Sequence, residues 1–467
     1  MRGGLTRREL LQAAGALAAV RVLDGRAAAL PRVGIVGGGM AGVALAWMLD
    51  GAYDVTLLEA GSAVGGNVRG VDVDLDGYQF VVDIGAQFFH PGPYPVYTAL
   101  LSGLGLFPPA PASPASAHSF KATITVDATG VPLPRFVSPV VPDRTWPLLA
   151  SWNSPGVSAF ATGFAAARLR EQLNASWSLT LQDWLPTLGL TQAQWEGMLL
   201  PWAASLFSGS IDQARGLSAR AAMLFAARAL PANPLDPLLY YVMKTGMGEV
   251  LSRLLDQSPN LQLRTNAAVQ HVARNPDGTF VIHCADGSDV TVDQLVLAAS
   301  GPATGQLLST LPGTEQQIAA LQGIEFHDAT LALHTDPVYA PAHPIVYSFF
   351  NCRVDGAFCE ASMWLAPVIA SAPPATAVKL WKSWTTHRSV QPAQILHQAA
   401  FRHMLPTPAS IAAQTQLRAL QGRDGIWFAG GYTFAYDAQE TALLSALTVA
   451  LGLGAGSARV QQLSAAR

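Results

Sequence analysis

Short apolar runs alternate with turn residues after the first thirty positions of the chain. Residues 33–36 form a β-type run, a cluster of glycines follows, and residues 43–49 are apolar at helical spacing. A second β-type run at 53–58 leads into an acidic residue. The pattern predicts a strand, a tight turn, a helix and a second strand.

The apolar pattern changes twice farther along the chain. Between about 155 and 242 its period is helical, and Thr191 to Gln194 have the form of a capping box. An amphipathic segment begins after Gly246 and Gly248. Other segments are typical of strands, namely 119–126, 261–272, 280–284, 290–292, 295–299, 330–334 and 345–350.

Composition narrows the class of protein. The chain has 467 residues, a formal net charge of -3 and 13% charged residues. This length predicts two or three domains. The low charge argues against nucleic-acid binding, so we expect a small-molecule substrate as partner.

The sequence offers little independent catalytic machinery. The cysteines, Cys284, Cys352 and Cys359, are too few for a disulfide framework and lack CxxC spacing, although one Cys352–Cys359 bridge stays open. The histidines show no HExxH or paired metal spacing, and no GxSxG elbow is present. We therefore predict no metal site, and a hydrolase has no support.

The first thirty residues resemble an export signal. Arg7 and Arg8 precede a mildly apolar run at 12–20, and small residues at 27–29 follow, as in a twin-arginine signal. We therefore expect an exported, periplasmic protein. An ordinary amphipathic helix is the alternative, because Arg21 interrupts the apolar run. No run is long enough to predict a transmembrane segment.

The glycine cluster has the form of a dinucleotide-binding turn. Gly37 suits a sharp turn, Gly39 allows a pyrophosphate to approach the backbone, and Gly42 allows helix and strand to pack closely. The helix N-terminus favours an anion. Glu59, after the second β-type run, can accept hydrogen bonds from ribose hydroxyls. A second glycine pair, Gly65 and Gly66, again allows close approach, and together these features predict adenine dinucleotide binding.

Three stretches resemble the FAD-dependent amine oxidase superfamily, which includes amine oxidases and phytoene desaturase-like flavoproteins. They are VGIVGGGMAGVALAWML with VTLLEAGSAVGGN, VDIGAQFF at 82–89, and the C-terminal GIWFAGGY followed by QETALLSA. The resemblance implies FAD as cofactor. It also implies a set of cofactor-binding residues: Gly37, Gly38, Gly39, Met40, Ala41, Gly42, Glu59, Ala60, Gly65, Gly66, Asn67, Gly85, Ala86, Gln87, Phe88, Val269, Gly430, Gly431, Glu440, Thr441 and Ala442.

The implied fold is α/β, with a Rossmann-like FAD-binding domain assembled from discontinuous segments and an α+β substrate domain. After the signal segment 1–30, the FAD-binding parts would be 31–90, 243–322 and 396–467. The substrate domain would comprise 91–242 and 323–395.

The chain departs from the family pattern at several positions. Thr441 stands where the closing helix usually has glycine, and the stretch 324–334 contains no lysine, although many amine oxidases hold one there. Tyr432 and Tyr436 do not clearly match the tyrosine pair of several members. These departures weaken a simple amine-oxidase assignment.

Two side chains are predicted as catalytic candidates near the flavin. His90 could act as an acid or base, or lie in a surface loop, and Tyr432 could line the pocket or simply pack. We expect an FAD-dependent oxidoreductase that takes hydride from a C–N or C–C position, with oxygen or a quinone as electron acceptor. Desaturase or isomerase chemistry on a lipophilic substrate, or an FAD-containing binding partner without turnover, are the alternatives. The oligomeric state is left open.

Overall fold

The computed structural model describes residues 29–75, 77–109, 116–138, 151–229, 231, 236–369 and 378–467. Residues 1–28, which hold the paired arginines of the predicted export signal, lie outside this part of the chain.

The described strands and helices have the following bounds. The strands are β1 Arg32–Val36, β2 Asp54–Leu58, β3 Gly70–Leu75, β4 Tyr78–Asp83, β5 Phe88–Phe89, β6 Ala117–Lys121, β7 Ile124–Ala128, β8 Phe136–Val137, β9 Leu239–Met243, β10 Gln262–Arg264, β11 Val269–Arg274, β12 Phe280–Cys284, β13 Asp289–Val292, β14 Gln294–Leu297, β15 Phe326–His334, β16 Phe350–Asp355, β17 Phe358–Trp364, β18 Trp381–Trp384, β19 Ile395–Met404 and β20 Ile426–Phe428. The helices are α1 Met40–Leu49, α2 Pro95–Gly103, α3 Ser154–Gln172, α4 Leu181–Trp184, α5 Gln192–Gln194, α6 Leu200–Phe207, α7 Ile211–Arg215, α8 Ala219–Ala229, α9 Gly248–Asp256, α10 Gly301–Leu308, α11 Glu315–Gln322, α12 Pro408–Ala419, α13 Gln439–Gly452 and α14 Ala458–Ala465.

A parallel five-stranded sheet holds the first strand–turn–helix unit. Its strand order is β10-β2-β1-β14-β20, so segments from both ends of the chain and from its middle lie side by side. Helix α1 packs against α9 and α13, and all ten of its residues are buried. This burial explains why the helix is apolar on every face rather than amphipathic. The predicted α/β class is confirmed.

A seven-stranded mixed sheet forms the second large layer. Its order is β19-β15-β18-β17-β16-β7-β8, with only β16 and β7 parallel. Helix α6 packs on β17 and β16, and the other helices between 154 and 229 extend this layer. Smaller sheets are the meander β11-β12-β13, the hairpin β3-β4 and the set β5-β9-β6.

Several predicted strands have different bounds in the structure. The segment 261–272 is two strands of different sheets, because Asn266 adopts a left-handed φ of 53° between them. The segment 119–126 likewise divides between β6 and β7, and 345–350 contains a 3₁₀ turn before β16 begins. The meander and the capping box at Thr191 are confirmed.

Two of the predicted domain boundaries do not follow the sheets. Strand β19 pairs along its length with β15, so the seven-stranded sheet continues past the boundary at 395 to Met404. Helix α2, assigned to the substrate domain, packs against α13 and shares a core with α1.

The three cysteines are buried and carry free thiols, including Cys352 and Cys359 on neighbouring strands. Among the helices that the structure describes, none combines the length and the apolar character needed to cross a membrane.

Candidate functional site

The first glycine turn is shaped by contacts that leave no room for side chains. Gly37 has a left-handed φ of 114°, and a Cβ there would lie 2.7 Å from the carbonyl oxygen of Ala298 on the neighbouring strand. A Cβ on Gly42 would lie 2.0 Å from the carbonyl oxygen of Gly37. The turn, the start of α1 and the end of β14 therefore pack backbone against backbone.

Glu59 binds the backbone of the glycine turn and of the loop that follows β2. Its Oε2 accepts the Gly38 N–H at 2.7 Å and its Oε1 accepts the Gly61 N–H at 2.7 Å. The Ala267 N–H donates to the Glu59 carbonyl oxygen at 2.8 Å, and β11 begins two residues later at Val269. The structure thus brings Val269 to the acidic end of β2, where the sequence placed the adenosine. Ala60, beside Glu59, is exposed.

The second glycine pair lies against the first. The Gly65 N–H donates to the Gly38 carbonyl oxygen at 2.9 Å, and Gly66 has a left-handed φ of 59°. A Cβ on Gly39 would make only an ordinary van der Waals contact, at 3.9 Å from the Cα of Gly66. Gly39 is also the N-cap of α1 and brings no side-chain cap. The positive end of α1, which starts with Met40 and Ala41, is therefore free to bind an anion.

The stretch 82–89, called the third segment of the candidate site, runs beside the second glycine pair. The Ala86 N–H donates to the Asn67 carbonyl oxygen at 2.8 Å, and a Cβ on Gly85 would lie 2.0 Å from the same oxygen. Gln87 is 5% exposed, and its Oε1 has no hydrogen-bond partner among the residues that the structure describes. The Phe88 ring makes an edge contact with Tyr240. Gln87 is thus a buried acceptor that a bound ligand could satisfy.

A buried lysine at this segment was missed by the sequence analysis. Lys382 is 3% exposed, and its Nζ donates to the carbonyl oxygens of Asp83 and Gly85 at 3.0 Å each. Burial lowers the pKa of Lys382 to about 7. The resemblance led us to expect a lysine in the stretch 324–334, whereas Lys382 lies on the adjacent strand β18, opposite Leu333.

The C-terminal glycine pair meets the closing helix α13. The Gly430 N–H donates to Ser445 Oγ at 2.7 Å, and a Cβ on Gly431 would lie 2.2 Å from Asp437 Oδ1. Thr441 Oγ1 accepts the Ala438 N–H at 3.0 Å. The Thr441 side chain is therefore turned back onto the first turn of its own helix, which Ala442 continues.

The Glu440 side chain binds the start of helix α2. Its carboxylate oxygens accept the Val96 and Tyr97 N–H groups at 3.1 and 2.8 Å, at the start of α2. The resemblance implied a cofactor contact for Glu440, whereas its side chain caps a helix. Burial raises the pKa of Glu440 to about 7. Its neighbour Gln439 donates to the Phe88 carbonyl oxygen at 3.3 Å and so ties α13 to the third segment.

His90 does not titrate near neutral pH, contrary to the expectation from its residue type. Burial lowers the pKa of His90 to about 4, and its Nδ1 accepts the Gly92 N–H at 3.0 Å. The neutral ring must then carry its proton on Nε2. His90 can donate a hydrogen bond at neutral pH, but it has no proton-accepting nitrogen free.

Tyr432 is 5% exposed and lies in the apolar cluster on one side of the parallel sheet. A Cβ on Gly301 would lie 3.5 Å from its ring, and one on Gly430 would lie 2.6 Å from it. Burial raises the pKa of the Tyr432 hydroxyl, which therefore stays protonated. The Tyr432 ring therefore packs within this cluster, and its role at the flavin stays a prediction.

The residues present fit a flavin adenine dinucleotide. Gly39 and the uncapped start of α1 suit its diphosphate, Glu59 suits its ribose, and Gln87 Oε1 offers an unsatisfied acceptor near the third segment. Within the described ranges, no three His, Cys, Asp or Glu side chains are grouped so as to hold a metal ion.

Solved structures of low sequence identity share the fold. A protoporphyrinogen oxidase-like protein from Exiguobacterium sp. 255-15 is 19% identical, with a TM-score of 0.59 over 92% of this chain and 99% of that one. Putrescine oxidase bound to putrescine is 15% identical, with a TM-score of 0.59 over 89% and 97% of the two chains. A fatty acid isomerase from P. acnes that produces CLA is 13% identical, with a TM-score of 0.61 over 89% and 97%.

No curated protein sequence matches this chain. The family model described as flavin containing amine oxidoreductase matches residues 40–334, which is more than half of the chain. The chain belongs to the flavin-containing amine oxidoreductase family, and its cofactor is FAD.

Proposed function

We propose that this flavin-dependent oxidoreductase oxidises a C–N or C–C position of a small substrate whose carbon skeleton beyond the reacting position is apolar. FAD supplies the hydride acceptor at its N5 when bound. An amine with an alkyl skeleton is the substrate class that we favour.

The observation that carries this proposal is a cavity of about 50 Å³ beside Gln87. Its lining combines the polar or charged residues Asp83, Gln87 and Lys244 with a larger number of apolar residues, namely Phe80, Val81, Val82, Val242, Met243, Leu365, Val368 and Ile369. Aliphatic walls stabilise an alkyl group through burial, whereas a charged ammonium group would lose its hydration there. The cavity therefore favours the carbon skeleton of a substrate over a second cationic end.

The protein's own groups serve binding and orientation in this scheme. The start of α1 and Glu59 hold the adenosine diphosphate, and Gln87 Oε1 accepts a hydrogen bond from whichever ligand reaches it. The neutral ring of His90 offers its Nε2–H group as a hydrogen-bond donor. The apolar residues of the cavity exclude water from the bound carbon skeleton.

Anaerobic flavin reduction tests the substrate class. The yellow holoprotein is mixed with alkylamines of increasing length and with putrescine, and loss of the visible absorbance of oxidised flavin is followed. We expect the alkylamines to bleach the flavin faster than the diamine. Faster bleaching by putrescine would contradict a preference for an apolar skeleton.

A matched pair of variants tests the cavity itself. Ile369→Trp fills the cavity and should raise the KM for the longer alkylamines while the flavin content is unchanged. Ile345→Trp alters an isoleucine that is 53% exposed and should change neither quantity. An equal response of both variants would show that the cavity does not hold substrate.

Isomerase or desaturase chemistry on a lipophilic unsaturated substrate is the second candidate, and the same apolar walls favour it. It predicts bleaching only by unsaturated lipophilic compounds, or conversion of such a compound to an isomer without net oxygen consumption. If no organic donor bleaches the flavin and the protein forms a tight complex in pull-down, it is instead a binding partner that retains FAD without turnover.

Two further parts of the proposal concern the cell. We infer that oxygen or a quinone reoxidises the flavin. Measuring the rate of flavin reoxidation with each acceptor would show which of the two it is. We also infer that the protein is exported to the periplasm, because Arg7 and Arg8 precede an apolar run in the order of a twin-arginine signal.

A further inference from the structure

The turn at residues 83–85 is bound by a charged group from the seven-stranded sheet. Lys382 Nζ donates to the carbonyl oxygens of Asp83 and Gly85, both at 3.0 Å. A buried ammonium group loses most of its hydration and depends on such acceptors. The contact joins β18 to the segment that leads into Gln87.

These two carbonyl groups belong to the peptide groups Asp83–Ile84 and Gly85–Ala86, whose N–H groups also form hydrogen bonds. The Ile84 N–H donates to the Arg69 carbonyl oxygen and the Ala86 N–H to the Asn67 carbonyl oxygen, each at 2.8 Å. Each peptide group therefore connects Lys382 on one side to the stretch just after the second glycine pair on the other. Hydrogen bonds in series polarise one another, so the ammonium strengthens both outer bonds.

The side chain of the same turn binds a third stretch of chain. Both carboxylate oxygens of Asp83 lie 3.0 Å from the Met247 nitrogen and accept its N–H. Asp83 is 4% exposed, and its attraction to Lys382 offsets part of the cost of burying both groups. Residues 83–86 thus connect β18, the second glycine pair and the start of α9.

We propose that Lys382 is a positioning residue, which fixes residues 83–86 against the second glycine pair and thereby couples the seven-stranded sheet to FAD binding. The inference rests on the proposed function in one respect, namely that residues 85–88 border the cofactor. It concerns how the site is held together, and it requires no turnover to test.

The test compares Lys382→Met, which keeps the length of the side chain but removes its donors and charge, with Lys379→Met. Lys379 is an exposed lysine on the same stretch of chain. Amide hydrogen exchange is measured on the deflavinated protein, and FAD affinity is then measured by titration. We expect Lys382→Met to speed exchange at Ile84 and Ala86 and to weaken FAD binding about tenfold, because bonds to a charged donor are lost.

The control should resemble the wild type in both measurements. Lys382→Arg retains the charge and the donors and should recover part of the lost affinity. A structural role alone would lower the melting temperature of Lys382→Met while FAD affinity and exchange at 84 and 86 stayed at wild-type values, and that result would overturn the proposal.

A wild-type measurement decides the matter if Lys382→Met does not fold. Ile84 and Ala86 should then exchange as slowly as amides of the central strand β1. Rapid exchange at these two amides would overturn the proposal without any variant. Failure of the substrate assays under Proposed function would leave these outcomes unaffected, since neither exchange nor FAD affinity depends on a substrate.

Discussion

Replacing Glu59 by glutamine tests the adenosine end of the site most directly. The substitution keeps the shape of the side chain but removes its charge and one of its two acceptor oxygens. In the structure those oxygens accept the Gly38 and Gly61 N–H groups, each at 2.7 Å. The amide can accept from only one of them, and its NH₂ group must face the other.

The size of the effect follows from these contacts. A hydrogen bond to a charged group contributes about 1.5–3 kcal/mol, and the partial exposure of Glu59 places each bond near the lower end. Losing one such bond, together with weaker acceptance from the ribose hydroxyls, should reduce FAD affinity by about tenfold to a hundredfold. Glu59→Lys removes both acceptors, so that protein should be colourless.

The assay is a titration of deflavinated protein with FAD, followed by the quenching of flavin fluorescence. Glu249→Gln is the matched control, because Glu249 bonds to Arg253 on the surface of α9. It should bind FAD as the wild type does. If Glu59→Gln binds FAD as tightly as the control, or if Glu59→Lys stays fully pigmented, the placement of the adenosine at the end of β2 is refuted.

Three more predictions concern packing, pH and export. Gly42→Ala should destabilise the protein by about 3 kcal/mol or more in thermal unfolding, because its Cβ would lie 2.0 Å from a carbonyl oxygen. The control is Gly305→Ala on α10, where a Cβ meets no described atom within 4 Å, and it should stabilise the protein by about 0.5–1 kcal/mol. The raised pKa of Glu440, about 7 against an ordinary 4.5, means that the native state holds this proton more tightly, so stability should fall by about 3 kcal/mol as pH rises between those values. Glu440→Gln should flatten that part of the stability curve in denaturant titrations at several pH values, and an unchanged curve would refute the assignment. Arg7→Lys combined with Arg8→Lys should leave the protein in the cytoplasm on cell fractionation, whereas an unchanged location would contradict a twin-arginine route.

The local parts of the fold could be predicted from the sequence. The glycine turn, Glu59 and the meander depend on residues close together in the chain. Their glycines and their alternation of apolar and polar residues can be recognised in the sequence. The break at Asn266 was not predicted, although the polar residues Arg264, Thr265 and Asn266 interrupt the apolar pattern there. The Asn266 N–H donates to the carbonyl oxygen of Gly61, in the loop after β2, and this long-range contact is not visible in the sequence.

The long-range parts could not be predicted in the same way. Glu440 resembled a cofactor residue because its neighbours did, yet its partners are two backbone N–H groups on a helix more than three hundred residues earlier. Lys382 lies in an ordinary β-type run, and nothing in the sequence shows that its ammonium group reaches carbonyl oxygens at 83 and 85. Every residue has a backbone carbonyl group, so the residue type does not show which backbone group a side chain will bind. Contacts of this kind can be identified only in the folded structure.

The strand order of the parallel sheet bears on how the protein is made. The central strand β1 is translated long before the edge strand β20, which Gly430 and Gly431, two predicted cofactor-binding residues, follow directly. A nascent chain on the ribosome therefore has only a partial sheet and no complete pocket. Flavin loading has to be a late event in biogenesis, and prematurely terminated products should remain without it.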